Sequence, residues 1–258
     1  MARRLRQVLL LLLIPAGLFA GLCLLMFLTQ RSQVFFPVRE SAVPGATPTR
    51  FAVDGAEIKV WTISRPGAAA LIYFGGNAED VGASIDRFAD LLPEHSLYFV
   101  NYRGYGGSTG EPSERALVGD AIALFDHLRT RHEEIHVLGR SLGSGVAAQL
   151  AGERDVRRLV LVTPFDSLVN VARAHYPWMP VGLLMWDRFD SAHRAASIAS
   201  EALFVVAGDD EIIPRARSDA LVRAFRSNPR VVVLEGARHN GIDLDPRYLD
   251  EVATFLSR

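Results

Sequence analysis

The chain is poor in cysteine and nearly balanced in charge, and each scarcity narrows what it can be. Cys23 is its only cysteine, so no intramolecular disulfide framework holds it together and a cysteine-ligated metal centre lacks its ligands. Against 28 Lys and Arg stand 29 Asp and Glu, a formal net charge of −1. With no basic stripe along the chain, the electrostatic footprint of a nucleic-acid partner is missing. Internal repeats, coiled-coil heptads and a charged tail are absent as well, which removes a repeat architecture or a purely assembling role. What remains is a globular composition, 49% hydrophobic and 22% charged over 258 residues, enough for one large core or two small ones.

Charge is also missing locally. Residues 8–28 carry none and are rich in leucine, about the length a helix needs to cross a bilayer. Arg3, Arg4 and Arg6 precede the run, which by the positive-inside tendency puts the N-terminus in the cytoplasm and the rest of the chain on the extracytoplasmic side. A cleaved signal peptide has a shorter apolar region ending in a small-x-small site; this run continues as LCLLMF and reads as an uncleaved signal anchor. Three segments follow: a cytoplasmic tip and transmembrane helix over 1–30, a linker over 31–50 rich in proline and small polar residues, and a domain over 51–258.

Within that domain, short apolar runs with β-branched and aromatic residues occur at 51–53, 58–63, 70–74, 97–101, 135–138, 159–162, 203–206 and 231–234, and they predict eight strands. Helix-period segments at 81–92, 114–129, 142–151, 215–225 and 247–256 alternate with the later strands. The last has Asp245 as N-cap and Pro246 at its first position. This alternation predicts a mostly parallel sheet covered by helices on both faces, with the first two strands forming an antiparallel hairpin at one edge. The aromatic and proline-rich stretch over about 165–195, containing HYPWMPVGLLMW, interrupts the alternation and reads as a short cap over the sheet edge.

One serine stands between two glycines straight after a predicted strand: Gly139, Arg140, Ser141, Leu142, Gly143. A strand that reverses into a helix within a few residues leaves no room for side chains at the flanking positions, so G-x-S-x-G fits a tight elbow with an exposed hydroxyl at its apex. A serine hydroxyl is a weak nucleophile near neutral pH and needs a base, itself oriented by an acid. In open α/β sheets such groups come from loops at the carboxyl ends of strands. The loop after 203–206 offers Asp209, Asp210 and Glu211, and the loop after 231–234 offers His239. Asp166, after another strand, is the outside candidate for the acid. The amide of Leu142, next after the serine, is one donor for a developing oxyanion.

The stretches YFGGNAED, NYRGYGGSTGEPSE, GRSLGSG, TPFDSL, YPWMPVGLLMWDRFDS, GDDEIIP and GARHNG together resemble the α/β-hydrolases. More narrowly, they resemble membrane-anchored α/β-hydrolase-domain proteins with a serine-aminopeptidase-like profile, some of which are depalmitoylases or lysophospholipases. The resemblance implies an α/β-hydrolase fold with a short cap insertion. Its D-x-x-[IV]-P pattern selects Asp210, and its HGNAG loop, matched by FGGNA, assigns the second oxyanion donor to the backbone N–H of Asn77. Gly75 stands where the family usually has a histidine that supports this loop. The expected activity is hydrolysis of a carboxylic ester or thioester of acyl-chain or lysolipid type through Ser141, Asp210 and His239, with neither metal nor organic cofactor. Peptide hydrolysis on the same fold and a non-catalytic lipid- or protein-binding role are the alternatives.

Overall fold

A computed structural model describes residues 2–40 and 42–258, the side chains of 2–6 and 8–12 excepted; the charges of Arg3, Arg4 and Arg6 therefore lie outside the described residues. The chain opens with a long helix, α1 (Ala2–Val34), of which Leu13–Val34 is apolar and long enough to cross a membrane, with a mean hydropathy of 1.9. The helix outruns the apolar run 8–28 by six residues because its last turns have partners. Gln30 is buried, donating to the Leu184 carbonyl at 3.0 Å and accepting from the Trp186 N–H at 2.8 Å. The expected linker is likewise held: Phe35 is buried in the core, and the Lys59 ammonium meets Glu40 at 2.6 Å.

Strands β1 (Thr47–Val53) and β2 (Ala56–Ile63) form the edge hairpin, turning at Asp54-Gly55, where Gly55 has φ +70°, a left-handed conformation that glycine adopts without strain. The remaining elements follow in order: β3 (Ala69–Phe74), α2 (Ile85–Leu91), β4 (His95–Val100), α3 (Glu114–Arg129), β5 (Ile135–Arg140), α4 (Leu142–Ala151), β6 (Arg158–Val162), α5 (Leu168–His175), α6 (Val181–Leu184), α7 (Ser191–Ala195), β7 (Glu201–Ala207), α8 (Arg215–Ala224), β8 (Arg230–Leu234) and α9 (Pro246–Leu256). The sheet has eight strands in the order β1-β2-β4-β3-β5-β6-β7-β8. Every pairing from β4 to β8 is parallel, while β2 runs antiparallel to both its neighbours.

Central strands β4 and β6 are buried at every position, which is why they read as unbroken apolar runs rather than alternating ones. One face of the sheet packs on α3, α4, α7 and α8, the other on α2 and α9. The two connections that matter are β3 to the loop after Phe74 and β5 to α4. They bring adjacent strand ends, paired Phe74 against Gly139, to the same edge of the molecule.

Candidate active site

The elbow is built by exclusion. A methyl group on Gly139 would lie 2.2 Å from the Gly143 carbonyl oxygen, and one on Gly143 would lie 2.0 Å from the Phe74 carbonyl oxygen. Any side chain at either position would push α4 off the sheet. Between them Ser141 takes φ +50°, a conformation that costs a non-glycine residue about 1–3 kcal/mol and persists only where its surroundings enforce it. They do: the Ser141 N–H donates to Val162 at 2.9 Å, and its carbonyl accepts from the Ser144 amide and hydroxyl at 2.9 and 2.6 Å. Although Ser141 occupies the N-cap position of α4, its side chain makes no cap hydrogen bond, leaving Oγ free.

That oxygen faces His239. The imidazole Nε2 lies 2.9 Å from Ser141 Oγ, and Nδ1 lies 2.8 and 3.0 Å from the two carboxylate oxygens of Asp210. A carboxylate only accepts, so Nδ1 carries the hydrogen and Nε2 is left to accept from the serine. The pair is enclosed, with side chains 5% and 4% exposed. Asp210 is fixed in turn by the N–H groups of Ile212 and Ile213 at 2.9 and 2.7 Å. The neighbouring carboxylates point elsewhere. Asp209 anchors its own loop through its amide to Ala237. Asp166 accepts from Ser167, Asn170 and Arg217. Glu211 accepts from the His239 backbone N–H and pairs with Arg238; hydrogen bonds from its own and the His239 backbone hold its carboxyl below the usual range.

Opposite the elbow runs the loop after β3. A methyl group on Gly76 would lie 3.6 Å from Ser141 Cβ, so this loop passes directly beside the serine. The Asn77 side chain is fully engaged: Oδ1 accepts from the Phe36 N–H and the Tyr105 hydroxyl, both at 2.9 Å, and Nδ2 donates to the Val34 carbonyl at 2.7 Å. Its backbone N–H and that of Leu142 donate to no group among the described residues. The contact from Tyr105 ties this loop to the neighbouring loop after β4.

At Gly75, where the resemblance to α/β-hydrolases implies a histidine, there is no space for one, since a Cβ would lie 2.4 Å from Val81 Cγ1. The support comes from residues that the sequence did not single out. Glu79 accepts from the Gly76 N–H at 2.7 Å and from the Tyr73 hydroxyl at 2.6 Å, and Arg140 lies 3.4 Å from the same carboxylate. Tyr102 donates to the Gly75 carbonyl at 2.8 Å. Burial, with Glu79 alongside, drives the Tyr73 phenol well above its usual value, and burial does the same at Tyr102. For Arg140, burial acts downward but is outweighed by Glu79, Tyr73, Tyr248 and Asp243, so the guanidinium stays charged. The signal that could have revealed this brace is a carboxylate three residues after Gly76, the spacing at which a side chain reaches back to a loop amide.

Ser141 stands between two cavities of opposite character. One, of about 330 Å³, is walled by apolar side chains from α1 (Met26, Val34), the cap (Leu168, Val171, Met179, Val181, Leu184, Met185) and the acid loop (Ile212, Ile213). The other, of about 160 Å³, is lined by Gly76, Asn77, Glu79, Arg140, His239 and Asn240. An apolar pocket and a polar one meeting at a serine suit a substrate with a greasy arm and a polar arm joined at the reacting atom. Among the described residues no group of three or more His, Cys, Asp or Glu side chains is arranged to hold a metal.

Comparison with known proteins agrees with this architecture. A model of the alpha/beta hydrolase fold matches residues 69–184. An uncharacterized protein of Mycobacterium tuberculosis is 34% identical, covering 95% of this chain and 93% of its own length. The alpha/beta hydrolase domain-containing protein 17C of Xenopus tropicalis is 30% identical over 80% of this chain and 71% of its own. Among solved structures, an esterase of Pyrococcus furiosus superposes with a TM-score of 0.72 at 16% identity, covering 87% of this chain and 98% of that one. An enol-lactonase of Burkholderia xenovorans gives 0.66 at 17%, with 81% and 100% covered. At such identities the structural matches speak to the fold alone.

Proposed function

The chain belongs to the α/β-hydrolase fold family, and from that premise we propose that it is a membrane-anchored serine hydrolase that cleaves acyl esters or thioesters. The observation that carries the reading is the hydrogen-bonded line Ser141–His239–Asp210 at the junction of an apolar and a polar cavity. His239 Nε2 takes the proton from Ser141 Oγ as that oxygen attacks the acyl carbon. Asp210 keeps the ring in the required tautomer and balances the imidazolium charge that forms. The amides of Asn77 and Leu142 hold the oxyanion, each such donor contributing about 3 kcal/mol to the transition state. His239 then returns the proton to the departing alcohol or thiol, whose polar remainder leaves through the Glu79–Arg140 cavity. Water, activated by the same imidazole, frees the acid and restores the serine. No cofactor is needed for any step.

The helix Leu13–Val34 supplies the anchor, with the catalytic domain on the extracytoplasmic side. The apolar cavity favours an acyl chain over a peptide. The reading is tested by offering the full chain in detergent micelles a long-chain acyl thioester, a lysophospholipid and a peptide amide, beside its Ser141→Ala variant. The expected result is turnover of the thioester or lysolipid that vanishes in the variant. Faster cleavage of the amide would make the protein a peptidase, and absence of turnover with all three would make it a binding protein.

A further inference from the structure

The apolar run of α1 ends at Leu28, yet the cap does not begin its contact with the helix there; it follows the helix much deeper. Trp186 packs edge-on against Phe27 at 4.8 Å, and the Arg31 guanidinium lies over the Trp186 ring at 5.6 Å and 3.6 Å from Asp187. A tryptophan bracketed by a charged pair is the composition of a membrane–water boundary. From this level the cap runs along the helix toward its N-terminus: Met179 Sδ is 3.7 Å from Cys23 Sγ, and the Trp178 ring is 6.4 Å from that of Phe19. Phe19 and Phe27 are eight residues apart, about 12 Å along the axis at 1.5 Å per residue. A helix whose uncharged residues 8–28 fill a hydrocarbon layer of about 30 Å therefore carries Trp178 roughly to mid-bilayer.

We infer that the cap segment 176–186 is itself immersed in the outer leaflet beside the anchor, and that the acyl substrate reaches Ser141 sideways from the bilayer, between cap and helix. This rests on the anchored acyl-hydrolase reading above. Three features of the segment fit it. It contains no charged residue, while Arg173 and His175 precede it and Asp187 and Arg188 follow it. Its large side chains face outward: Leu183 is 85% exposed, Trp178 58% and Trp186 54%, a cluster that would be an aggregation liability in water and is ordinary in lipid. And most of its backbone amides are already met. Two positions are proline, and the amides at 176, 179, 181 and 183–186 donate within the protein, that of Trp186 to Gln30, while Arg188 covers the Gly182 carbonyl at 2.6 Å. Non-helical backbone survives at membrane depth only when its polar groups are met in this way.

The apolar cavity runs from Ser141 to Met26, Met179 and Met185, which lie on the two surfaces that would share the leaflet. The chain end of a substrate would rest against these methionines while its carbonyl is drawn up to the serine near Val34, at interfacial height. The substrate class that follows is a bilayer-resident acyl chain, with a lysolipid headgroup or an S-acylated protein as its polar arm.

The test uses the full chain in phosphatidylcholine vesicles, with tryptophan fluorescence quenched by phospholipids brominated either mid-chain or close to the headgroup. Trp61 is buried in the core, so subtracting the signals of Trp178→Phe and Trp186→Phe isolates each cap residue. Trp178 is expected to be quenched more strongly by mid-chain bromines and Trp186 by shallow ones; a Trp178 that responds to neither and is quenched by aqueous iodide overturns the inference. In parallel, Leu183→Lys should lower the ratio of long-chain vesicle-borne substrate to short soluble ester hydrolysis by about tenfold, since a charge is being pushed into lipid; an unchanged ratio contradicts lateral access, and S-acylated peptide against lysolipid identifies the polar arm. The two readings fail separately. If Ser141 does not label with a fluorophosphonate, the hydrolase reading falls whatever the quenching shows, and if it labels while Trp178 stays in water, only the immersion falls.

Discussion

The two ends of strand β5 hold the same kinds of residue under opposite rules. At its amino end His136 is buried with Nδ1 unpartnered, beside His95, whose Nδ1 is also unpartnered, at a ring distance of 5.4 Å. Just past its carboxyl end Ser141 meets His239, which has both ring nitrogens engaged. Strain divides the same way: of the non-glycine residues at positive φ, Ala78, Ser141 and Thr163 directly follow or lie just beyond β3, β5 and β6. At the carboxyl end of β5, backbone strain is thus combined with a catalytic-type imidazole engaged on both nitrogens, the combination needed to hold reactive groups in one geometry. The amino end has relaxed backbone and idle polar atoms, which weigh on stability alone. The lesson is that burial and a titratable ring do not mark a site; a ring that links a strained serine to a carboxylate does.

The contrast can be broken most severely at the serine. Ser141→Ala should lower acyl-ester turnover by about 10⁴-fold or more while the melting temperature stays put, as expected when one member of a triad is removed. Asp210→Asn should cost about 10³- to 10⁴-fold by presenting the wrong tautomer, whereas Asp166→Asn and Asp209→Asn cost less than about tenfold; kinetics of the three variants in one assay check the ranking. Gly143→Ala, which aims a methyl at the Phe74 carbonyl, should lower unfolding stability by about 3 kcal/mol, read from the urea midpoint.

Smaller effects sharpen the distinction. Glu79→Gln weakens the carboxylate that accepts from the Gly76 N–H and should reduce kcat by about tenfold with little change in KM, since it steadies the loop carrying the Asn77 amide rather than the bound ground state. At the other end, burial, with His95 and Arg158 nearby, lowers the His136 pKa to about 3. Between the ordinary value of 6.5 and about 3 the unfolded chain therefore binds a proton that the folded chain refuses, so stability falls as the pH drops below 6.5, by up to about 1.4 kcal/mol per pH unit. In His136→Gln the slope of unfolding free energy against pH should flatten over that window while turnover at neutral pH is kept.

Most of the sheet is legible because the middles of the parallel central strands are apolar runs that stop at loops marked by glycine or proline. For strand β1 the apolar pattern covers only 51–53, four residues short: Pro48 and Arg50 look like linker, but on an edge strand proline is tolerated, and here Pro48 lies opposite Trp61. The end of α1 at Val34 was illegible because it depends on Gln30 and Arg31 finding the cap, a tertiary contact with no local signature. The elbow was visible as glycine spacing. The choice among Asp209, Asp210 and Asp166 was not visible in the residues alone and leaned on the resemblance to α/β-hydrolases; in the fold, only Asp210 reaches the imidazole. The Glu79 brace went unread because Tyr73, Gly76 and Arg140 converge on it from two strands and a loop.

The central claim is that Ser141 is an activated nucleophile, and its most direct test is reaction of the full chain with a fluorophosphonate followed by peptide mass analysis. The account predicts one phosphonyl group per chain, located on Ser141, with labelling lost in His239→Ala at unchanged fold. A folded protein that stays unlabelled, or one labelled on another serine, would contradict it.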